Sequence, residues 1–359
     1  MWFVSDNAAP AAPEVLASLT RANEGYTPAY GKDPLTERVT VRLREIFEAP
    51  DAAVHLVGTG TAGNVLALAC LCPPWATIYC HRNAHIEEDE CGAPEFYTGG
   101  SKLTLLEGDH ARITPDALTR AISFTARAGV HNVQRGALSL TNSTELGAVY
   151  TPADIRALSD IAHDAGLPVH LDGARFANAL VGLGCSPADL TWRAGVDVLT
   201  LGGTKNGLMG VEAVIFFDPA KSWEFELRRK RGGHLFSKHR YLAAQMDAWL
   251  EGGLWLDLAS RANARAAELS AGIAALPGAK INHPTEANAV FASWPRAGHR
   301  ALQEAGAQYY LWPGNQSLEG PDDEPLSARL VCSWSTRQGD VAAFLAVLSE
   351  QVEAQAQRA

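Results

Sequence analysis

From residue 53 to residue 217 short apolar runs alternate with segments of helical spacing, and this alternation constrains the fold more than any other feature of the chain. It predicts strands at 54–57, 77–80, 138–140, 169–171, 197–201 and 211–217, with helices at 62–71, 114–128, 152–165 and 187–194 between them. Strands joined through helices pair in parallel, so the expected fold is α/β: a mostly parallel sheet covered on both faces. Upstream, helices are expected at 13–20 and 35–48. Downstream come long helices at 238–250 and 257–275, then strands at 289–293, 308–312 and 329–333 and helices at 299–305 and 339–356, with a loop over 313–327. A chain of 359 residues is long enough for about two domains. Gly252-Gly253 is the expected hinge. It divides an N-terminal arm (1–25) and a large unit (26–251) from a smaller C-terminal α/β unit (252–359).

Two of the apolar runs end in chemistry. Val169-His170-Leu171 runs into Asp172-Gly173-Ala174-Arg175, and Thr200-Leu201 runs into Gly202-Gly203-Thr204-Lys205-Asn206-Gly207. A buried parallel strand delivers such residues to a site at its carboxyl end. An aspartate after a strand is commonly a helix cap, and a lysine there is commonly a solvated charge. Lys205 fits that poorly, because small residues flank it and another apolar strand follows. A carboxylate on one strand end and an amine on another are what pyridoxal phosphate requires. The amine forms the Schiff base and the carboxylate keeps the pyridine nitrogen protonated.

The run His170-Leu171-Asp172-Gly173-Ala174-Arg175-Phe176-Ala177-Asn178-Ala179 resembles the signature of the L-threonine aldolase family, within the fold-type I pyridoxal phosphate enzymes. The run from Gly202 to Gly207 resembles its low-specificity threonine aldolase and phenylserine aldolase branch, and the likeness extends from Ser5-Asp6-Asn7 to Arg329-Leu330. The resemblance implies reversible cleavage of L-β-hydroxy-α-amino acids (L-threonine, L-allo-threonine, phenylserine) to glycine and an aldehyde. It makes Lys205 the cofactor lysine within Thr204-Lys205, Asp172 the partner of the ring nitrogen, and Gly60, Thr61 and Ala62 the phosphate cup. It places His85 on the cofactor ring, near the substrate hydroxyl, and gives the substrate carboxylate to Arg175 and Arg329 with Ser5. Lys230, with Lys238 as a further basic position, and Tyr30 are implied to serve a neighbouring subunit's site, so a homodimer or homotetramer with shared sites is expected. One departure stands out. The family often carries a second histidine where this chain has Thr144, in Thr141-Asn142-Ser143-Thr144-Glu145, so a two-histidine mechanism is not expected and His85, a water or the cofactor phosphate is left to accept the hydroxyl proton. A β-eliminating lyase or aminotransferase would share the lysine and the aspartate.

A rival reading starts from Gly58-Thr59-Gly60-Thr61-Ala62-Gly63, which matches a dinucleotide fingerprint between a strand and a helix. That fingerprint expects an acid about 20 residues on. His81-Arg82-Asn83 stands there instead, and Arg82 suits an NADP phosphate. An NADP-linked oxidoreductase leaves Lys205 and Asp172 unexplained, whereas small residues at a helix N-terminus suit any phosphate. Among the acids of Glu87-Glu88-Asp89-Glu90, the first three read as a solvated helix start and Glu90 has no assigned role.

Composition excludes other classes. A formal charge of −10 gives no basic face for nucleic acid, and no apolar run reaches the ~18 residues of a membrane helix. Asp6 stands where an export leader would be basic and then apolar, so a cytoplasmic protein is expected. The six cysteines lack metal-ligand spacing and read as buried reduced thiols; no metal site is expected.

Overall fold

The computed structural model describes residues 1–127 and 129–356. Among them, seven strands form one sheet: β1 (Ala53–Val57), β2 (Ala76–His81), β3 (Lys102–Leu106), β4 (Gln134–Thr141), β5 (Val169–Gly173), β6 (Val198–Gly202) and β7 (Glu212–Phe216). The order is β1-β7-β6-β5-β4-β2-β3; the block from β6 to β3 is parallel, and β7 runs antiparallel to both of its neighbours. The sheet is therefore mostly parallel.

The helices of this unit are α1 (Pro13–Ala22), α2 (Pro34–Ile46), α3 (Gly60–Leu71), the short α4 (His85–Glu88) and α5 (Ala93–Thr98), α6 (Pro115–Thr125), α7 (Pro152–Asp164), α8 (Phe176–Leu183), α9 (Ser222–Arg231) and α10 (Arg240–Leu250). Several starts are written in the sequence. Asp33, Thr59, Thr114 and Thr151 each accept a backbone N–H of the first turn, and Pro follows Asp33, Thr114 and Thr151 at the first helical position. Thr151 and Asp154 close a reciprocal capping box.

After the turn Glu251–Gly253, α11 (Leu254–Ala274) leads to β8 (Lys280–Ile281), β9 (Ala289–Pro295), α12 (Arg296–Glu304), β10 (Tyr310–Leu311), β11 (Pro325–Val331) and α13 (Gln338–Ala356). The four strands pair antiparallel in the order β10-β11-β9-β8. α11 ties the two sheets together: Leu258 and Ala259 pack in the core of the large sheet, while Leu269 and Ile273 pack with Trp294 and Phe344 in the second core. The N-terminus joins that second core. Phe3 is fully buried against Phe344, and its backbone bonds to Gln308 and Val331.

Some expectations are corrected. The helix expected at 187–194 is a run of turns with one tight helical turn, Trp192–Ala194, because Thr191 Oγ1 donates to Pro187 O and Trp192 Nε1 is held by Phe47 O. The expected helix end at Ala128 and the last three residues of the C-terminal unit, 357–359, lie outside the described residues. The loop expected over 313–327 ends earlier, since β11 begins at Pro325, so Arg329 sits inside that strand and does not start it. The strand expected at 308–312 is confined to β10. The cysteines form no disulfide; Cys91 is exposed and Cys185 partly so, against the expectation that all six are buried.

Candidate active site

The large sheet brings the carboxyl ends of β4, β5 and β6 side by side, with Thr141, Asp172 and Thr200 in register. Asp172 is buried, and its two oxygens are separately held: Oδ1 accepts from Ala174 N at 3.0 Å, Oδ2 from Asn64 Nδ2 at 3.1 Å. Asn64 comes from α3, which lies close to the sheet because Gly63 has no side chain; a Cβ there would stand 2.6 Å from Thr200 Cγ2. Behind Asp172, His170 is clamped between Ser139 and Thr200 hydroxyls at 3.0 and 3.1 Å. Burial pushes its pKa down to about 4, against the pull of Asp172, so it is a neutral spacer at physiological pH.

Lys205 sits in the single turn Thr204–Asn206 directly after β6. That turn is fixed from three sides. Gly203 N donates to Glu212 Oε2 at 2.5 Å, Asn206 Nδ2 donates to Trp255 O at 2.8 Å, and Trp249 Nε1 donates to Asn206 O at 2.8 Å. Glu212 is buried, which lifts its pKa to about 7, while its bond from Gly203 and the Lys205 charge oppose the rise. The Lys205 charge also acts on Asp6 and Glu90.

Glu90, the acid left without a role, lies at the centre of the cluster. It is 3% exposed, and its Oε1 accepts from the same Asn64 amide nitrogen, at 3.1 Å, that serves Asp172. Burial, and then the Asp172 charge, raise its pKa to about 8, so Glu90 carries a proton at neutral pH. His85 opens α4 with its Nε2 4.0 Å from Glu90 Oε1; its Nδ1 is 3.5 Å from Glu145 Oε1 and 3.7 Å from Asp89 Oδ2. Glu145 is a second acid that the sequence reading passed over. Its one signal there is its place, next to Thr144 just past the end of β4. Thr144 itself is committed to structure: it donates to His110 O at 2.9 Å and accepts from Ala148 N at 3.1 Å.

The arginines differ from expectation. The Arg175 fork grips Asp6 of the N-terminal segment, with Nε to Oδ2 at 2.7 Å and Nη2 to Oδ1 at 2.9 Å, both partners buried. Burial alone would raise the Asp6 pKa, but Arg175 and then Lys205 hold it below the usual carboxylate range. The planar fork expected for a substrate carboxylate is thus filled from within the chain, because a buried Asp6 needs a counter-charge. Arg175 offers a ligand its charge and its remaining N–H groups. Arg329 lies beside it. Burial, and then the like charge of Arg175, lower the Arg329 pKa, with Glu145 and Asp6 pulling the other way. Its guanidinium also stands 5.8 Å from the Trp312 ring centre. Ser5 Oγ accepts from Asn7 N at 3.1 Å and so caps its own turn, while its O–H keeps the capacity to donate.

At the end of β1 the first turn of α3 presents backbone amides with no intrahelical partner. The Ala62 amide, expected in the phosphate cup, is spent on Thr59 Oγ1 at 3.1 Å, which leaves Gly60 and Thr61 as the donors. A Cβ on Gly60 would meet nothing within 4 Å, so that face is open. Tyr30 and Lys230 pair with each other, the ammonium 4.8 Å from the ring centre. The Tyr30 amide is bonded to Ser237 O, and the neighbouring Phe236 packs against Gly58.

The dinucleotide reading is overturned by topology. It needs β1 and β2 adjacent and parallel, but β7, β6, β5 and β4 separate them, and Arg82 is paired with Glu107 at 2.5 Å. The residues do fit pyridoxal phosphate: an amine and a carboxylate on adjoining strand ends, an open helix N-terminus, an imidazole, and the buried Asn64 Oδ1 without a hydrogen-bond partner.

A family model described as beta-eliminating lyase matches residues 3–294. The chain is 40% identical over 339 residues, 94% of each chain, to a low specificity L-threonine aldolase of Pseudomonas sp. (strain NCIMB 10558). It is 42% identical over 334 residues, 93% of each chain, to a protein of the same name from Pseudomonas aeruginosa. Among solved structures it is similar to a threonine aldolase of Leishmania major, with a TM-score of 0.90 at 27% identity, covering 98% of this chain and 99% of that one.

Proposed function

The chain belongs to the beta-eliminating lyase family, alongside the low-specificity L-threonine aldolases, and on that premise we propose that it cleaves L-β-hydroxy-α-amino acids reversibly to glycine and an aldehyde. It is a pyridoxal phosphate-dependent lyase. The observation that carries the reading is the buried Asp172 near the end of β5 beside the turn after the parallel neighbour β6, which carries Lys205.

Each residue has a task in this proposal. Pyridoxal phosphate, held through the Lys205 amine, supplies an electron sink for the pair released when the Cα–Cβ bond breaks. Asp172 holds the proton on the pyridine nitrogen, and Asn64 and Ala174 hold Asp172. The Gly60 and Thr61 amides receive the phosphate, with Thr204 beside the lysine. Arg329, the residual donors of Arg175 and the Ser5 hydroxyl would fix the substrate carboxylate and so orient the bond to be broken. His85 would lie against the cofactor and take the β-hydroxyl proton, since Thr144 is no base and its hydroxyl is bonded elsewhere. Lys230 and Tyr30 complete the site of a neighbouring subunit, in a cytoplasmic homodimer or homotetramer divided within each chain at Gly252-Gly253.

Among the described residues no helix is long and apolar enough to cross a membrane. The purified protein, loaded with cofactor, should release acetaldehyde from L-threonine or L-allo-threonine and benzaldehyde from L-phenylserine, with glycine as the second product in equal amount. 2-Oxobutyrate from threonine, or phenylpyruvate from phenylserine, with ammonia, would instead assign β-elimination.

A further inference from the structure

Glu145 has no task in the mechanism above, yet it sits at the junction of the two halves of the site. Its side chain is 15% exposed, its Oε1 lies 3.5 Å from His85 Nδ1, and its charge acts on both Arg175 and Arg329. We propose that Glu145 is a positioning residue for the proton step: it holds the His85 imidazole from the Nδ1 side and stabilises the imidazolium formed when the ring takes the substrate β-hydroxyl proton. The inference rests on the aldolase reading and deepens it at the same site.

The argument is one of geometry and solvation. A general base that gains a proton gains a charge, and a carboxylate fixed at its far nitrogen orients the ring and offsets that charge. Three acids face His85. Asp89 approaches the same nitrogen at 3.7 Å, but it is 64% exposed, so water screens it. Glu90 approaches Nε2 at 4.0 Å and carries its own proton at neutral pH, so it brings no charge. Glu145 is the acid that is both close to Nδ1 and shielded from water. It stands one residue past Thr144, whose hydroxyl is committed to His110 O and Ala148 N, so at this strand end Glu145 is the side chain left to face His85.

Arg175 and Arg329 offer Glu145 a competing job, as filler of the carboxylate pocket, and kinetics separate the two. In Glu145→Gln, kcat for L-phenylserine and L-threonine should fall by about 10- to 100-fold with KM within about twofold. The acid limb of kcat/KM should move to lower pH, and Asp89→Asn should leave both features in place. In a His85→Asn background the same substitution should cost nothing further. Unchanged kcat, a change confined to KM, a fixed acid limb, or a full additive loss in the double variant would each overturn the proposal. Glu145→Asp keeps the charge and serves if the glutamine variant does not fold: its acid limb should stay in place while kcat falls, and an unchanged kcat there counts against the proposal. Absence of aldehyde from the wild-type protein would instead reject the aldolase reading itself.

Discussion

At the scale of single residues, the buried acids set the character of the site. Glu90 has an ordinary value of 4.5 and stands at about 8 in the fold, raised by burial and by Asp172. Between those values the native protein holds a proton that the unfolded chain has released, so stability falls as pH rises from about 4.5 to 8 and is level above. Glu90→Gln keeps an acceptor for Asn64 and removes the titration. In the cofactor-free protein its melting temperature should gain on wild type progressively from pH 5 to pH 8 and no further, measured by calorimetry across that range; a gap that stays constant would contradict the account. The role of Glu90 was not legible in the sequence, where it closes a run of acids whose first three read as a solvated helix start and carries no signal of its own. Glu145 was hidden likewise behind Thr144. The pairing of Asp6 with Arg175, 169 residues apart, leaves no local trace at all. Lys205 and Asp172 were legible because each ends a continuous apolar strand, and a charge there has few places to go but a site.

At the scale of elements, the site depends on strand ends and a helix start that approach closely. Gly202, the last residue of β6, is the tightest of these points: a Cβ there would stand 2.4 Å from Ala174 O, in the loop that holds Asp172. Gly202→Ala should separate the ends of β5 and β6, destabilise the protein by about 1–3 kcal/mol and weaken cofactor retention, read by denaturant melts and by dialysis against buffer. A variant with wild-type stability and retention would show that the two strand ends are not coupled. Elements with strong periodicity or caps were legible: α2, α6 and α7 follow their Asp or Thr caps. Those missed have physical reasons. β3 is an edge strand whose Lys102 and Leu105 face water, so it lacks a continuous apolar run. α8 is apolar on nearly every side because it is packed between the sheet and α11, so it lacks the one-sided spacing that marks a surface helix.

At the scale of the whole molecule, the strand order decides the chemistry. Placing β7 and β6 beside β1 moves the glycine-rich turn away from β2 and toward the Lys205 strand, so the six residues that resemble a dinucleotide loop stand outside a dinucleotide-binding topology. The alternation of strands and helices foretold the parallel block, whereas the reversal of β7 and its insertion next to β1 followed from no local pattern. The N-terminal segment then crosses to the small sheet, burying Phe3 there and Asp6 against Arg175, so both cores contribute to one site. The central claim is that Lys205 carries the cofactor. It is tested most directly by reducing the yellow, cofactor-loaded protein with borohydride, digesting it and mapping the modified lysine by mass spectrometry. The account predicts a pyridoxyl phosphate adduct on the peptide containing Lys205, absent from Lys205→Ala; an adduct on another lysine, or one that persists in that variant, would contradict it.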